Sequence, residues 1–195
     1  MTIYLDFDRT LFDTEKFIQD LEKLIIENNV DIKLFNDYKA NYKKEGFNPE
    51  FILKEMEKDY SFNHDVYQKI DELLQLSYQY IYSDVVIFLN KCHDNNYQVC
   101  LLTKGNHDFQ LKKIKYSHLE QLFNKVIITQ KRKGELALDY SKGIFIDDNP
   151  YEIDSILDKK PFKVIRIARE KARYNDIATK KEVPIVQSLS EINFK

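Results

Sequence analysis

Two carboxylates one residue apart, Asp6 and Asp8, directly follow the apolar run Ile3-Tyr4-Leu5, with Thr10 two positions further on. So short an apolar segment reads as a buried strand, and ligands of open α/β sheets gather at the carboxyl ends of their strands. Two acids placed there can hold a divalent cation while one of them attacks an electrophile. On this segment alone, a solvated acidic turn is the plainer alternative. A second acidic pair, Asp147-Asp148, follows the run Gly143-Ile144-Phe145-Ile146. Asn149 and Pro150 read as the cap and first residue of a helix, which accounts for one of these acids but not for both.

Two further groups stand between the acidic pairs. The run Val99-Cys100-Leu101-Leu102 leads into Thr103-Lys104-Gly105-Asn106. There a hydroxyl, a tight glycine turn and the start of a helix could cradle a phosphate, although a threonine at a strand end also serves as an ordinary cap. Val126 to Ile128 leads into Gln130-Lys131-Arg132-Lys133-Gly134-Glu135-Leu136. A lysine aimed into a site with several carboxylates would offset their repulsion and neutralise a phosphoryl oxygen. The alternative is a solvated basic turn.

The elements that position these groups follow from periodicity. Strand-like runs at Ile3 to Phe7, Val99 to Leu102, Val126 to Ile128, Ile144 to Ile146 and Val164 to Ile167 alternate mostly with helical patterns, which predicts a parallel sheet. More than ninety residues separate the first two runs, far more than one crossover helix needs. Within them Phe17, Leu21, Leu24 and Ile25 share one helical face, and Val66, Ile70, Leu73, Leu74 and Ile81 another. The expected architecture is therefore an α/β core from residues 1–13 and 84–195, with a helical insert over residues 14–83 and a helix from Val85 to His93 leading back to the sheet. The 195 residues suffice for a substantial hydrophobic interior.

In order along the chain, Asp-x-Asp-x-Thr, strand-Thr-x-Gly, Lys and strand-Asp-Asp resemble the motifs of the haloacid dehalogenase-like (HAD) superfamily, in its helical-cap phosphatase form. The resemblance covers nearly the whole chain. It implies a Rossmann-like parallel core with residues 14–83 as the cap, and the tail Ile185 to Leu189 as the short final strand and Ser-Leu ending. It further implies a magnesium-dependent phosphohydrolase that acts on a small phosphorylated metabolite. Asp6 would be the nucleophile that forms an aspartyl-phosphate, and Asp8 the acid and base. Magnesium would be held by Asp6, the backbone carbonyl of Asp8, Asp147 and, through water or by orienting the others, Asp148. Thr103 and Lys133 would grip the phosphoryl group, with Thr10, Lys104 and Gly105 as further substrate contacts, and Lys131 is the substitute lysine. Two departures stand out: Arg9, where a glycine is common, and a short spacing from Lys133 to Asp147.

Rival readings differ in order or in chemistry. A receiver domain has its acidic pair first and its phospho-acceptor later. Haloacid dehalogenation dispenses with the second acid of the first motif, and Asp8 is present. A phosphomutase or phosphotransferase shares every catalytic residue, and a non-catalytic binding module of this fold would have lost some. With 30 Lys and Arg spread among 32 Asp and Glu, nothing suggests a nucleic-acid or membrane partner. Cys92 and Cys100 read as small core residues in a reducing compartment, the four histidines as surface or packing residues, and the expected location is cytoplasmic. The aromatics of the insert, from Tyr38 to Tyr82, read chiefly as helix packing, with some lining a cleft. The sequence names neither a substrate nor an oligomeric state.

Overall fold

The computed structural model describes residues 1–42, 44, 46–137, 143–158 and 163–193. Six parallel strands form one sheet: β1 (Thr2–Leu5), β2 (Gln98–Lys104), β3 (Lys125–Thr129), β4 (Gly143–Asp147), β5 (Lys163–Ile167) and β6 (Ile185–Val186), in the order β3-β2-β1-β4-β5-β6. The chain winds outward from β1 through β2 to β3, then crosses back to place β4 on β1's other side. The strand order thus reverses between β1 and β4, where an open α/β sheet leaves a crevice. Leu5 is in register with Leu101 on one side and Ile146 on the other, so Asp6 and Asp147 leave the sheet at nearly the same height.

Strand periodicity divides the core between the two faces. Ile3, Leu5, Val99, Leu101, Ile144 and Ile146 turn toward one apolar cluster, whereas Tyr4, Cys100, Leu102 and Phe145 turn toward the other. Helices α5 (Val85–Asp94) and α6 (His107–Tyr116) cover the first face, and α7 (Pro150–Leu157) covers the second with Ile153 and Ile156. Both cysteines are buried and free.

Between β1 and α5 lie α1 (Thr14–Glu27), α2 (Ile32–Asn41), α3 (Pro49–Met56) and α4 (Asp65–Gln75). Each start up to α3 carries its own signal: Asp13 caps α1, Asp31 caps α2, and Asn48 caps α3 with Pro49 at its first turn. Phe17, Leu21 and Ile25 of α1 and Val66, Ile70 and Leu74 of α4 are buried in the same continuous cluster as the sheet's first face. Ile81 departs from the expected helical face. It forms an antiparallel bridge with Phe12, and Tyr82 N–H donates to the Leu11 carbonyl, so the chain enters and leaves the helical segment side by side. Stacked at that junction are Phe7, Phe12, Phe17 and Tyr80, with neighbouring ring centroids 5.2 to 5.5 Å apart. Each such pair contributes about 1 kcal/mol beyond its buried area.

The strands fall within two residues of their expected bounds, and β6 pairs with β5 as the tail motif suggests. Among the described residues, no helix is long and apolar enough to cross a membrane.

Candidate active site

Asp6 continues the ladder of β1 by donating its N–H to the Ile146 carbonyl at 3.0 Å. The backbone then turns at once: the Phe7 carbonyl accepts from the N–H groups of Leu11 and Phe12, and Arg9 sits at φ 61°. A non-glycine residue in the left-handed region costs on the order of 1 kcal/mol, which this closed turn offsets. The turn keeps Asp6 buried at the sheet edge and swings Asp8 toward α6.

Lys133 is driven into the same place from the other side. A single 3-10 turn, Lys133–Glu135, docks on α7, and a Cβ on Gly134 would lie 2.0 Å from the Ser155 carbonyl oxygen. Only glycine permits that approach. Glu152 of α7 accepts the Lys133 backbone N–H at 2.8 Å, and the Lys133 ammonium donates to Asp6 and, at 2.6 Å, to Asp147. The lysine is only 1% exposed, whereas Lys131 is exposed. The structure therefore brings Lys133, not Lys131, to the acids.

Carboxylate oxygens of Asp6, Asp147 and Asp148 all lie within 4.8 Å of one another. Burial, with neighbouring Asp147 and Asp8 adding to it and Lys133 opposing, pushes the Asp6 carboxyl up to about 7. Burial likewise raises Asp147 against the pull of Lys133, and raises Asp148 well above the usual range with the charges of Asp147 and Asp6. The Lys133 ammonium is held above its ordinary value: burial opposes this, but the two carboxylates outweigh it. One Asp148 oxygen is buried with no hydrogen-bond partner among the described residues. Three acids around one ammonium, with an orphaned acceptor, fit a divalent cation.

Asp8 is in a different situation. Its carboxylate accepts from the Thr14 hydroxyl at 2.8 Å, Gln110 Nε2 at 2.6 Å and Lys113 Nζ at 2.5 Å. Burial works to raise its pKa, but the Lys113 charge and these hydrogen bonds outweigh it and pull it down to about 2. Asp8 is thus held as an anion. Thr14, Gln110 and Lys113 were not anticipated as site residues. The available signal was the buried stripe Phe109, Gln110, Lys113 and Ile114 on α6, which includes two polar side chains at helical spacing.

The remaining candidates occupy distinct positions. Lys104 and Gly105 line a cleft of about 300 Å³ with Asp6, Asp8, Lys133, Asp147 and Asp148. The Lys104 ammonium is paired with Glu152 at 3.0 Å, and Gly105 N–H donates to the Thr129 carbonyl. Asn106 caps α6 by accepting from Phe109 N–H. Thr10 and Thr103 are fully buried and do not line the cleft, and neither hydroxyl has a hydrogen-bond partner among the described residues. Thr10 lies behind the site, where its carbonyl accepts from Arg169 at 2.8 Å. Arg169 in turn grips Asp84 at the start of α5 at 2.6 and 2.9 Å.

Comparison with known proteins places this geometry. The family model described as haloacid dehalogenase-like hydrolase matches residues 3–155. No curated protein matches the sequence. A haloacid dehalogenase-like hydrolase from Burkholderia xenovorans LB400 is similar in fold, with a TM-score of 0.77 at 15% identity over 97% of this chain and 93% of that one. A HAD phosphatase from Thermococcus onnurineus gives a TM-score of 0.67 at 17% identity, covering 97% and 94%. L-2-haloacid dehalogenase from Xanthobacter autotrophicus, with chloropropionic acid covalently bound, gives 0.63 at 14% identity, covering 97% and 95%. At such identities the likeness speaks for the fold alone.

Proposed function

This chain belongs to the haloacid dehalogenase-like hydrolase family, and on that premise we propose that it is a magnesium-dependent phosphohydrolase acting on small phosphomonoesters through an aspartyl-phosphate. The observation that carries this reading is the pairing of two acids of opposite character: Asp6 among the buried carboxylates of Asp147 and Asp148, and Asp8 held anionic nearby. Displacement of halide needs no proton donated to the leaving group, so a dehalogenase has no use for a second acid at Asp8 as a proton donor.

In the first step an Asp6 carboxylate oxygen attacks phosphorus and the bond to the alcohol oxygen breaks. Lys133, which donates to Asp6, would hold a phosphoryl oxygen as charge develops. In the second step water attacks phosphorus of the aspartyl-phosphate, the bond from phosphorus to the Asp6 oxygen breaks to give back the Asp6 carboxylate and free phosphate, and Asp8 takes the water's proton. Asp6, Asp147 and Asp148, with the Asp8 carbonyl, would hold magnesium, which when bound neutralises phosphoryl charge. Protonating an alkyl leaving oxygen requires Asp8 to carry a proton, and hence the Lys113 contact to open. An aryl leaving group needs no such proton, which makes p-nitrophenyl phosphate the suitable first substrate.

The test is phosphate release from p-nitrophenyl phosphate with magnesium and with EDTA, for the native chain and Asp6→Asn, alongside chloride release from 2-chloropropionate. Magnesium-dependent phosphate release lost in Asp6→Asn is the expected result. Chloride release without phosphate release would replace this reading with a dehalogenase. Transfer of the phosphoryl group to a second sugar phosphate rather than to water would replace it with a mutase.

A further inference from the structure

Beside the acidic cleft lies a second cavity of about 340 Å³ with the opposite charge. The two share Asp8, Arg9, Phe47, Lys104 and Gly105, so they adjoin. Arg9, Lys39, Lys104, Lys113 and Arg173 line the second cavity, against the acids Asp8 and Glu15. Three of these cations already have carboxylate partners: Arg9 with Glu15 at 2.6 Å, Lys104 with Glu152 at 3.0 Å and Lys113 with Asp8 at 2.5 Å. Lys39 and Arg173 form no ion pair among the described residues.

Both of those cations are held in place by aromatic rings. Lys39 of α2 stands over the Phe47 ring, 5.0 Å from its centroid, and Arg173 lies 5.5 Å from the centroid of Tyr174. Arg173 is tied further by its backbone N–H, which donates to Glu15 at 3.2 Å. One comes from the helical segment and the other from the loop after β5. Phe17, Ile18, Phe47 and Phe109 supply the cavity's apolar lining. Such a chamber suits a short carbon body ending in a negative charge, since two cations without ion-pair partners beside an apolar lining are otherwise an electrostatic cost.

We propose that the substrate is a phosphomonoester whose alcohol portion carries a second anionic group, bound between Lys39 and Arg173 while Asp6 and Lys133 engage the phosphoryl group. This deepens the phosphohydrolase reading and rests on it. The phosphoryl end is common to all the family's phosphatase substrates, whereas the second anion is what this chain's own cations would select.

The experiment compares kcat/KM for the hydroxybutanoic acid with a terminal hydroxyl, phosphorylated there, for the methyl ester of that compound, and for butanediol bisphosphate, with p-nitrophenyl phosphate as the reference. The acid or the bisphosphate is expected to exceed the methyl ester about 10- to 100-fold, the range for hydrogen bonds to a charged group. Whichever is better tells carboxylate from phosphate. The double variant Lys39→Met/Arg173→Met, both at partly or fully exposed positions, should bring the ratio of anionic to neutral ester down to within about 3-fold of unity. Hydrolysis of p-nitrophenyl phosphate with equal rates for acid and methyl ester overturns the second-anion proposal and leaves the phosphohydrolase reading standing. A preference for the anionic ester that survives the double variant overturns the assignment to Lys39 and Arg173. As a check independent of turnover, butanephosphonic acid carrying a terminal carboxylate should bind Asp6→Asn at least about 10-fold tighter than its methyl ester by calorimetry. If no ester is hydrolysed and the two phosphonates bind alike, both readings fall.

Discussion

Replacing Lys133 by methionine keeps the volume of the side chain and removes its charge from the most buried polar cluster in the cleft. Lys133 is 1% exposed, and its ammonium serves Asp6 and Asp147 at once, while Asp148 already has an oxygen without a partner. Removing one member of a buried ion-pair network leaves uncompensated charge and costs about 3 to 5 kcal/mol. With a urea dependence of about 2 kcal/mol per molar, the midpoint of unfolding should fall by about 2 M in Lys133→Met when divalent cations are absent. The backbone bond from Lys133 to Glu152 survives the change, so the 3-10 turn itself is retained. Added magnesium should recover more stability in the variant than in the native chain, because the acids it meets have lost their competing ammonium. Turnover should nevertheless stay down by about 100- to 1000-fold, the usual loss for removing one donor to a developing oxyanion. Lys131→Met, at an exposed position, serves as the control and should match the native chain in both measurements. A Lys133→Met midpoint within 0.5 M of the native one, measured in EDTA, would refute the argument that this lysine holds the acids together; about 1 kcal/mol is the most such a shift could represent.

Other outcomes follow from the same geometry. Magnesium at about 100 times its dissociation constant should stabilise the native chain by about 2.7 kcal/mol, raising Tm by roughly 5 to 10 °C, and Asp147→Asn should remove most of that shift in a thermal melt. Gly134→Ala should cost about 3 kcal/mol or more in urea unfolding, because its Cβ would meet the Ser155 carbonyl carbon at 2.4 Å as well as the oxygen. Asp84 is held below its ordinary pKa: burial opposes this, but Arg169, Ser188 and the Leu189 N–H together outweigh it. A carboxyl lowered on folding adds stability above its unfolded pKa of about 3.9, and that stability disappears as pH falls through the folded value. Asp84→Asn should therefore destabilise by about 2 kcal/mol at pH 7 and progressively less below about pH 4, as read from urea midpoints across that range.

What the sequence disclosed about the fold was what neighbouring residues decide among themselves. Ile3 to Leu5, Val99 to Leu102 and Ile144 to Ile146 are short, β-branched or leucine-rich, and end in turn or acidic residues, so their strands were legible to within two residues. The caps Asp13, Asp31 and Asn48 stand directly before their helices for the same reason. Ile81 shows the limit. Its spacing from Leu74 suits a helix, but the chain must return beside Phe12 to rejoin the sheet, and an antiparallel bridge supersedes the local pattern. Strand order lay beyond local reading too, since only the packing of α5, α6 and α7 on opposite faces decides on which side of β1 the fourth strand falls.

The site divides along the same line. Asp6, Asp147 and Asp148 were legible because a carboxylate after a buried strand has few structural uses, and parallel strands in register bring such ends together. Lys133 was legible only as one of two, and what separates it from Lys131 is the contact of Gly134 with α7, a packing event invisible in a basic run. Lys113 was legible at most as a polar residue on the stripe of α6, not as the partner of Asp8. It lies among Lys112 and Lys115 on one helix, and its identity as the partner of Asp8 comes from burial beneath the rings of Phe7, Phe12 and Phe109, each within 5.4 Å of its ammonium. Two of those rings belong to the turn that carries Asp8, so the motif that supplies the acid also builds the aromatic housing for the cation that holds it ionised. The Asp-x-Asp-x-Thr segment thus surrounds with Phe7 and Phe12, residues that a motif reading treats as filler, the lysine whose charge lowers the pKa of its second carboxylate.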